Sequence, residues 1–142
     1  MRMSAIIETK SFAFSVRIVK LYKHLCEEKK EYVLSRQILR AGTGIGANVA
    51  EAQQAQSRPD FISKLCIALK EAGETDYWLR LLRATDYLSE NEYDSLIIDC
   101  KELEKLLTTI IKSKKHSHII YQAIRIRIYN NCIRSKMFTS FV

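Results

Sequence analysis

Three glycines within five residues, Gly42, Gly44 and Gly46 in the stretch from Arg40 to Ala52 (RAGTGIGANVAEA), are the first place where this chain could do chemistry. In a loop ahead of a helix, such glycines let backbone N–H groups close around a phosphate. The dinucleotide pattern needs a third glycine three residues after the second, and Ala47 stands there. It also needs a buried strand in front, whereas Ser35 to Arg40 puts three large polar groups into six residues. No Gly-Lys-Ser or Gly-Lys-Thr follows, which removes the other common phosphate loop. Glu71 and Glu74 form a carboxylate pair at helical spacing, but no nucleophile, cofactor motif or partner histidine accompanies them, so they propose no reaction. His116 and His118 lie two apart in a segment without a carboxylate, a pattern that suits solvated side chains better than metal ligands. The sequence therefore leads to no catalytic residue, no metal and no cofactor.

Binding chemistry has more candidates. Arginine suits phosphate and asparagine suits base edges, which singles out Arg40 and Asn48. Tyr77 and Trp78 could stack on bases, although packing is the commoner fate of such rings. Basic side chains on the first half, Arg17, Lys20, Lys23, Lys29, Lys30 and Arg36, make one candidate nucleic-acid surface, and Lys114, Lys115, Arg125 and Arg127 make another. The net charge of +7 is unevenly spread. Residues 1–50 carry nine Lys/Arg against four Asp/Glu, residues 51–113 eight against twelve, and residues 114–142 six against none. A basic first half followed by an acidic second half suits head-to-tail association as well as it suits RNA.

The elements that must position these groups read as helices. One proline and four glycines in 142 residues leave few breakers, and 47% hydrophobic content is ample for one core. Ile7, Ser11, Phe14, Ile18, Leu21 and Leu25 alternate spacings of four and three, predicting a helix over about 4–28. Leu34, Ile38, Ala41, Ile45, Asn48 and Ala52 do the same within a second helix over about 32–55, so the glycine cluster reads as helix surface where a neighbouring helix comes close. Gln37, Arg40, Gly44, Asn48 and Glu51 form a polar stripe beside that face. Ser57 as N-cap, with Pro59 and Asp60 in the first turn, starts a third helix over about 58–86, where Ala68 and Ala72 are small opposite the small stretch before them. An antiparallel turn near residue 57 brings Arg40 level with Glu74 or Glu71. Ser89 and Glu92 form a capping box, with Leu88 and Tyr93 as its staple, for a fourth helix over about 90–112 that fades at Lys112. The expectation is an all-α, antiparallel up-down-up-down four-helix bundle over 1–113. Residues 114–142 form a basic C-terminal extension open to three forms: a basic arm, a strand or helix laid on the bundle or a neighbour, or a poorly ordered segment.

No uncharged apolar run approaches the about 18 residues that a membrane span needs, and the first ten residues are not a secretory signal. Cys26, Cys66, Cys100 and Cys132 contain no Cys-x-x-Cys pair and read as reduced, mostly buried thiols of a cytoplasmic protein with no membrane partner.

Three stretches together resemble a known family: Ser35-Arg36-Gln37 through Arg40, Gly44 to Ala52, and Ala68 to Leu79 (ALKEAGETDYWL). They are similar to the four-helix bundle protein family whose first members were encoded in intervening sequences of bacterial 23S rRNA genes. The resemblance covers about residues 5–113 and implies a bacterial, non-enzymatic bundle, assembled in relatives as a ring-like homopentamer. The chain also resembles the accessory protein of diversity-generating retroelements, a basic pentamer that binds nucleic acid and a reverse transcriptase. The family's motif positions fall on Gln37, Arg40, Asn48, Glu51, Glu71, Glu74 and Trp78, without a catalytic role. Two functions follow as expectations: an RNA- or DNA-associated homo-oligomeric scaffold, or a protein-binding adaptor that joins copies of itself or a reverse transcriptase-like partner without touching nucleic acid.

Overall fold

The computed structural model describes the backbone over residues 3–139 and side-chain burial over 5–127. Four helices follow one another: α1 Met3–Glu27, α2 Leu34–Gln53, α3 Arg58–Ala84 and α4 Glu90–Thr139. Two compact units divide the chain, Met1–Ile111 and Lys112–Val142. No strand occurs among the described residues.

The first unit is the bundle. Side-chain pairings climb one helix as they descend the next: Ile18 with Gly42 and Ser15 with Gly46 between α1 and α2, Arg40 with Glu74 and Glu51 with Lys64 between α2 and α3, and Lys10 with Glu102, Arg17 with Asp99 and His24 with Glu92 between α1 and α4. α3, bonded to α4 through Asp76 and Lys101, is therefore antiparallel to it as well. The 3-4 alternation seen in the sequence is the face each helix buries, as Phe14, Ile18 and Leu25 of α1, Ile38 and Ile45 of α2, Leu65, Leu79 and Leu82 of α3 and Leu103 and Leu107 of α4 share one core.

Local chemistry sets the helix starts. Ser57 Oγ accepts from Asp60 N at 3.2 Å, and Pro59 sits in the first turn. Ser89 and Glu92 cap one another, with Ser89 N donating to Glu92 Oε2 at 2.7 Å and Glu92 N to Ser89 Oγ at 3.3 Å. Those hydrogen bonds hold the Glu92 carboxyl below its usual range.

The glycine cluster lies inside α2, so its N–H groups belong to the helical ladder and form no phosphate loop. Two of the three glycines, Gly42 and Gly46, are closed by α1. A Cβ on Gly42 would lie 2.7 Å from Ile18 Cγ1, and one on Gly46 would lie 2.9 Å from Ser15 Oγ and 3.3 Å from the Ser11 carbonyl oxygen. Only Gly44 faces α3, at 3.3 Å from the Glu71 side chain, while Gly73 is open to space. On α3, the Ala72 carbonyl accepts from Cys100 Sγ of α4 at 3.4 Å, and burial pushes that thiol up to about 12.

Two corrections follow. Helix does not fade at Lys112 but continues to Thr139, and the strand alternative for Ile124 to Tyr129 falls away. No glycine or proline occurs after Gly73, so nothing interrupts the backbone ladder, and Ile120 and Ile124 keep helical spacing. The thiols are also less uniformly buried than expected: Cys100 is buried, Cys26 half-buried and Cys66 exposed, because residue 66 falls on the outer face of α3. The side chain of Cys132 lies outside the described residues.

Candidate nucleic-acid interface

The turn between α1 and α2 is built from its own charges. His24 carbonyl accepts from Glu28 N and Lys29 N, Lys30 takes a left-handed φ of 54°, and Glu31 N returns to Leu25 O at 2.9 Å, closing α1 without a glycine. Glu31 then caps α2. Its Oε1 accepts from Val33 N at 3.0 Å and Leu34 N at 2.8 Å, and its Oε2 from Ser35 N at 2.6 Å. Burial opposes ionisation of this carboxyl, but the N–H groups of Leu34, Ser35 and Val33 outweigh it and hold the pKa below 4.5. With Glu31 buried as the anchor, Lys29, Lys30, Tyr32, Val33 and Arg36 are exposed around it. Tyr32, 51% exposed, is a surface aromatic among basic side chains that periodicity had no means to single out. The local order Lys-Lys-Glu-Tyr, with an aromatic beside a charge run, was the available sign.

The other basic candidates divide. Arg17 is committed within the bundle: Nη1 donates to Asp99 Oδ2 at 2.5 Å and to the Ser95 carbonyl at 2.9 Å, and Nη2 to Ser95 Oγ at 2.6 Å. Lys20 and Lys23 are exposed on α1. In the second unit Lys114, Lys115, Arg125 and Arg127 are exposed on the helix, as are Ile119, Ile120, Tyr121, Ile124 and Ile126. His116 and His118 are exposed too, and no metal-competent cluster of three His, Cys, Asp or Glu occurs among the described residues.

The polar stripe of α2 meets α3 as a ladder of pairs. Arg40 Nη2 bonds to Glu74 Oε1 and its Nη1 lies 3.4 Å from Glu71 Oε2, while Trp78 Nε1 donates to the same Glu74 oxygen at 3.2 Å. Tyr77 packs edge-on against Trp78, with centroids 5.0 Å apart, and leaves its own outer side exposed. Lys64 donates to Glu51 Oε2 at 2.5 Å, a bond that raises the lysine pKa. Asn48 Nδ2 donates to the Gly44 carbonyl at 2.8 Å and so serves its own helix. Gln37 is exposed on the same face. Arg40 thus meets two acceptors across the seam, with its side chain 54% exposed.

The order and register of these motifs match a known group. The sequence profile of the 23S rRNA-intervening sequence proteins matches residues 4–109. The chain belongs to that family. A crystal structure of a protein of unknown function from the S23 ribosomal protein family of Bacteroides thetaiotaomicron VPI-5482 is 57% identical, superposes with a TM-score of 0.77, and aligns over 78% of this chain and 99% of that one. The shared part is thus nearly all of that relative, which has no counterpart to a fifth of this chain. No curated protein matches. Among the described residues no helix is long and apolar enough to cross a membrane.

Proposed function

We propose that this 23S rRNA-intervening sequence family member is a non-catalytic, homo-oligomeric scaffold of the bacterial cytoplasm that contacts structured RNA through the α1–α2 turn. The observation that carries the reading is the arrangement of Lys29, Lys30, Tyr32 and Arg36 around the buried Glu31 anchor. Cations meet phosphates, an exposed ring offers a stacking face, and a capped turn presents both with little ordering left to do. Repetition around an oligomer would make a weak contact multivalent. The family's name supports RNA over other polyanions. The seam of Arg40, Glu71, Glu74 and Trp78 serves the scaffold rather than a reaction.

Filter binding of the full chain to a structured RNA across a range of salt tests this. Affinity should fall steeply with salt, and charge reversal at Lys29, Lys30 and Arg36 should flatten that dependence. The opposed charge of the two halves of the bundle favours one second reading, an adaptor that joins copies of itself or a reverse transcriptase-like partner without nucleic acid. Binding that is absent, or indifferent to salt, leaves that reading standing.

A further inference from the structure

Residues 115–127 (KHSHIIYQAIRIR), in the second unit, sort their side chains to two sides of the helix. Ile119, Ala123 and Ile126 recur at spacings of four and three, with Ile120 and Ile124 beside them on the same side. Lys115, His118, Gln122 and Arg125 recur at three, four and three along the other side. Arg127 closes the apolar side at its end, where a long stem lets the guanidinium reach out of it. The isoleucines are left open: Ile119 is 65%, Ile120 46%, Ile124 52% and Ile126 59% exposed. Four large aliphatic side chains on one side of one helix are more than the scattered exposed hydrophobics of an ordinary surface.

Charge says what kind of surface covers that face. Residues 114–142 carry six Lys/Arg and no Asp/Glu, so an anionic partner meets no like charge anywhere along them. RNA would take the cations but leave the isoleucines in water, since an aliphatic side chain gives a base no ring to stack on. An anionic bilayer takes both, with apolar side chains below the headgroups and cations against the lipid phosphates. The expectation of no membrane partner rests on the lack of a spanning run, and among the described residues no helix is long and apolar enough to cross. A helix that lies in the plane of the surface needs only one apolar side. The face also lies beyond the family match over residues 4–109, so it belongs to the extension and not to the shared bundle.

We propose that residues 115–127 lie in the plane of an anionic lipid bilayer, with Ile119, Ile120, Ile124 and Ile126 in the acyl boundary and Lys115 and Arg125 at the headgroup phosphates. Neither part suffices alone. A face of four isoleucines is too small for permanent insertion, and surface charge is screened beyond about 10 Å, so attachment is reversible and depends on both. The inference stands apart from the RNA reading: the extension meets lipid, while Lys29, Lys30, Tyr32 and Arg36 are left to nucleic acid. Part of the protein is then held at a membrane surface without any segment crossing it.

Co-sedimentation of the full-length chain with vesicles tests this, using phosphatidylcholine alone and phosphatidylcholine mixed with phosphatidylglycerol, and circular dichroism to confirm that each variant is folded. The chain should pellet with the mixed vesicles and stay in solution with phosphatidylcholine alone, and rising salt should release it. Ile120→Gln with Ile124→Gln, which keeps charge and helix propensity, should lower the partition onto mixed vesicles at least about tenfold. Lys115→Gln with Arg125→Gln should do the same. Lys29→Gln with Lys30→Gln and Arg36→Gln should leave the partition nearly unchanged. A wild-type chain that stays in solution with mixed vesicles overturns the proposal. So does binding that the isoleucine pair does not weaken or that the turn variant abolishes, for the contact is then charge alone or belongs to the bundle. If the isoleucine pair instead lowers native mass or RNA affinity while the wild type ignores vesicles, the face belongs to a second copy or to nucleic acid, and the proposal equally fails.

Discussion

Alanine meets different surroundings at different glycines of this chain, and the outcomes should differ in sign. Gly42→Ala drives a methyl into the fully buried Ile18, so overpacking of about 1–3 kcal/mol should exceed the gain of about 1 kcal/mol in helix propensity and lower the thermal midpoint. Gly73→Ala meets nothing and should raise stability by about 0.5–1 kcal/mol in a urea titration. Glu31 is the other residue whose role is chemical. Its depressed carboxyl contributes stability that is full above pH 4.5 and lost as pH falls through the folded value. Glu31→Ala should cost about 1–3 kcal/mol at neutral pH by leaving the N–H groups of Val33, Leu34 and Ser35 without their acceptor. The same substitution should flatten the acid limb of a plot of stability against pH.

At the scale of the element, the caps at Ser57 and Ser89 were readable because each is a local hydrogen bond between neighbours in sequence. The start of α2 was not, because its cap comes from a glutamate three residues ahead of Leu34, outside any usual capping pattern. The end of α4 was misplaced for a related reason: the bundle's apolar period stops near Lys112, but a helix already nucleated in the bundle propagates where no glycine or proline interrupts it. Between elements, the Arg40 seam is direction-setting more than stabilising. Arg40 is 54% exposed at its side chain, so Arg40→Ala should cost less than about 1 kcal/mol in chemical denaturation. A loss of several kcal/mol would instead mark a buried network whose acidic partners are left stranded.

For the whole molecule, the 57% identical relative aligns over 99% of its own length with 78% of this chain. Deleting residues 112–142 should leave the thermal midpoint of the bundle unchanged in a calorimetric scan, since the chain divides into compact units at that point. The same truncation compared with the full chain in RNA titrations measures what Lys114, Lys115, Arg125 and Arg127 add. Each phosphate contact they make should steepen the salt slope by about 0.7–0.9. A slope that does not change on deletion would confine any RNA contact to the α1–α2 turn.

The 3-4 spacing of Ile7 through Leu25 and Leu34 through Ala52, with the caps at Ser57 and Ser89, was enough to determine four helices and their antiparallel order. Periodicity reports one helix's apolar side, and short connections leave a neighbour little choice of direction. Which helix fills the space above Gly42 and Gly46, that Arg17 is held by Asp99 and Ser95, and that Tyr32 stands outside a buried glutamate were decided only in three dimensions. Those facts depend on distances between residues far apart in the chain or on the exact path of a turn. A pattern along one helix carries no measure of either.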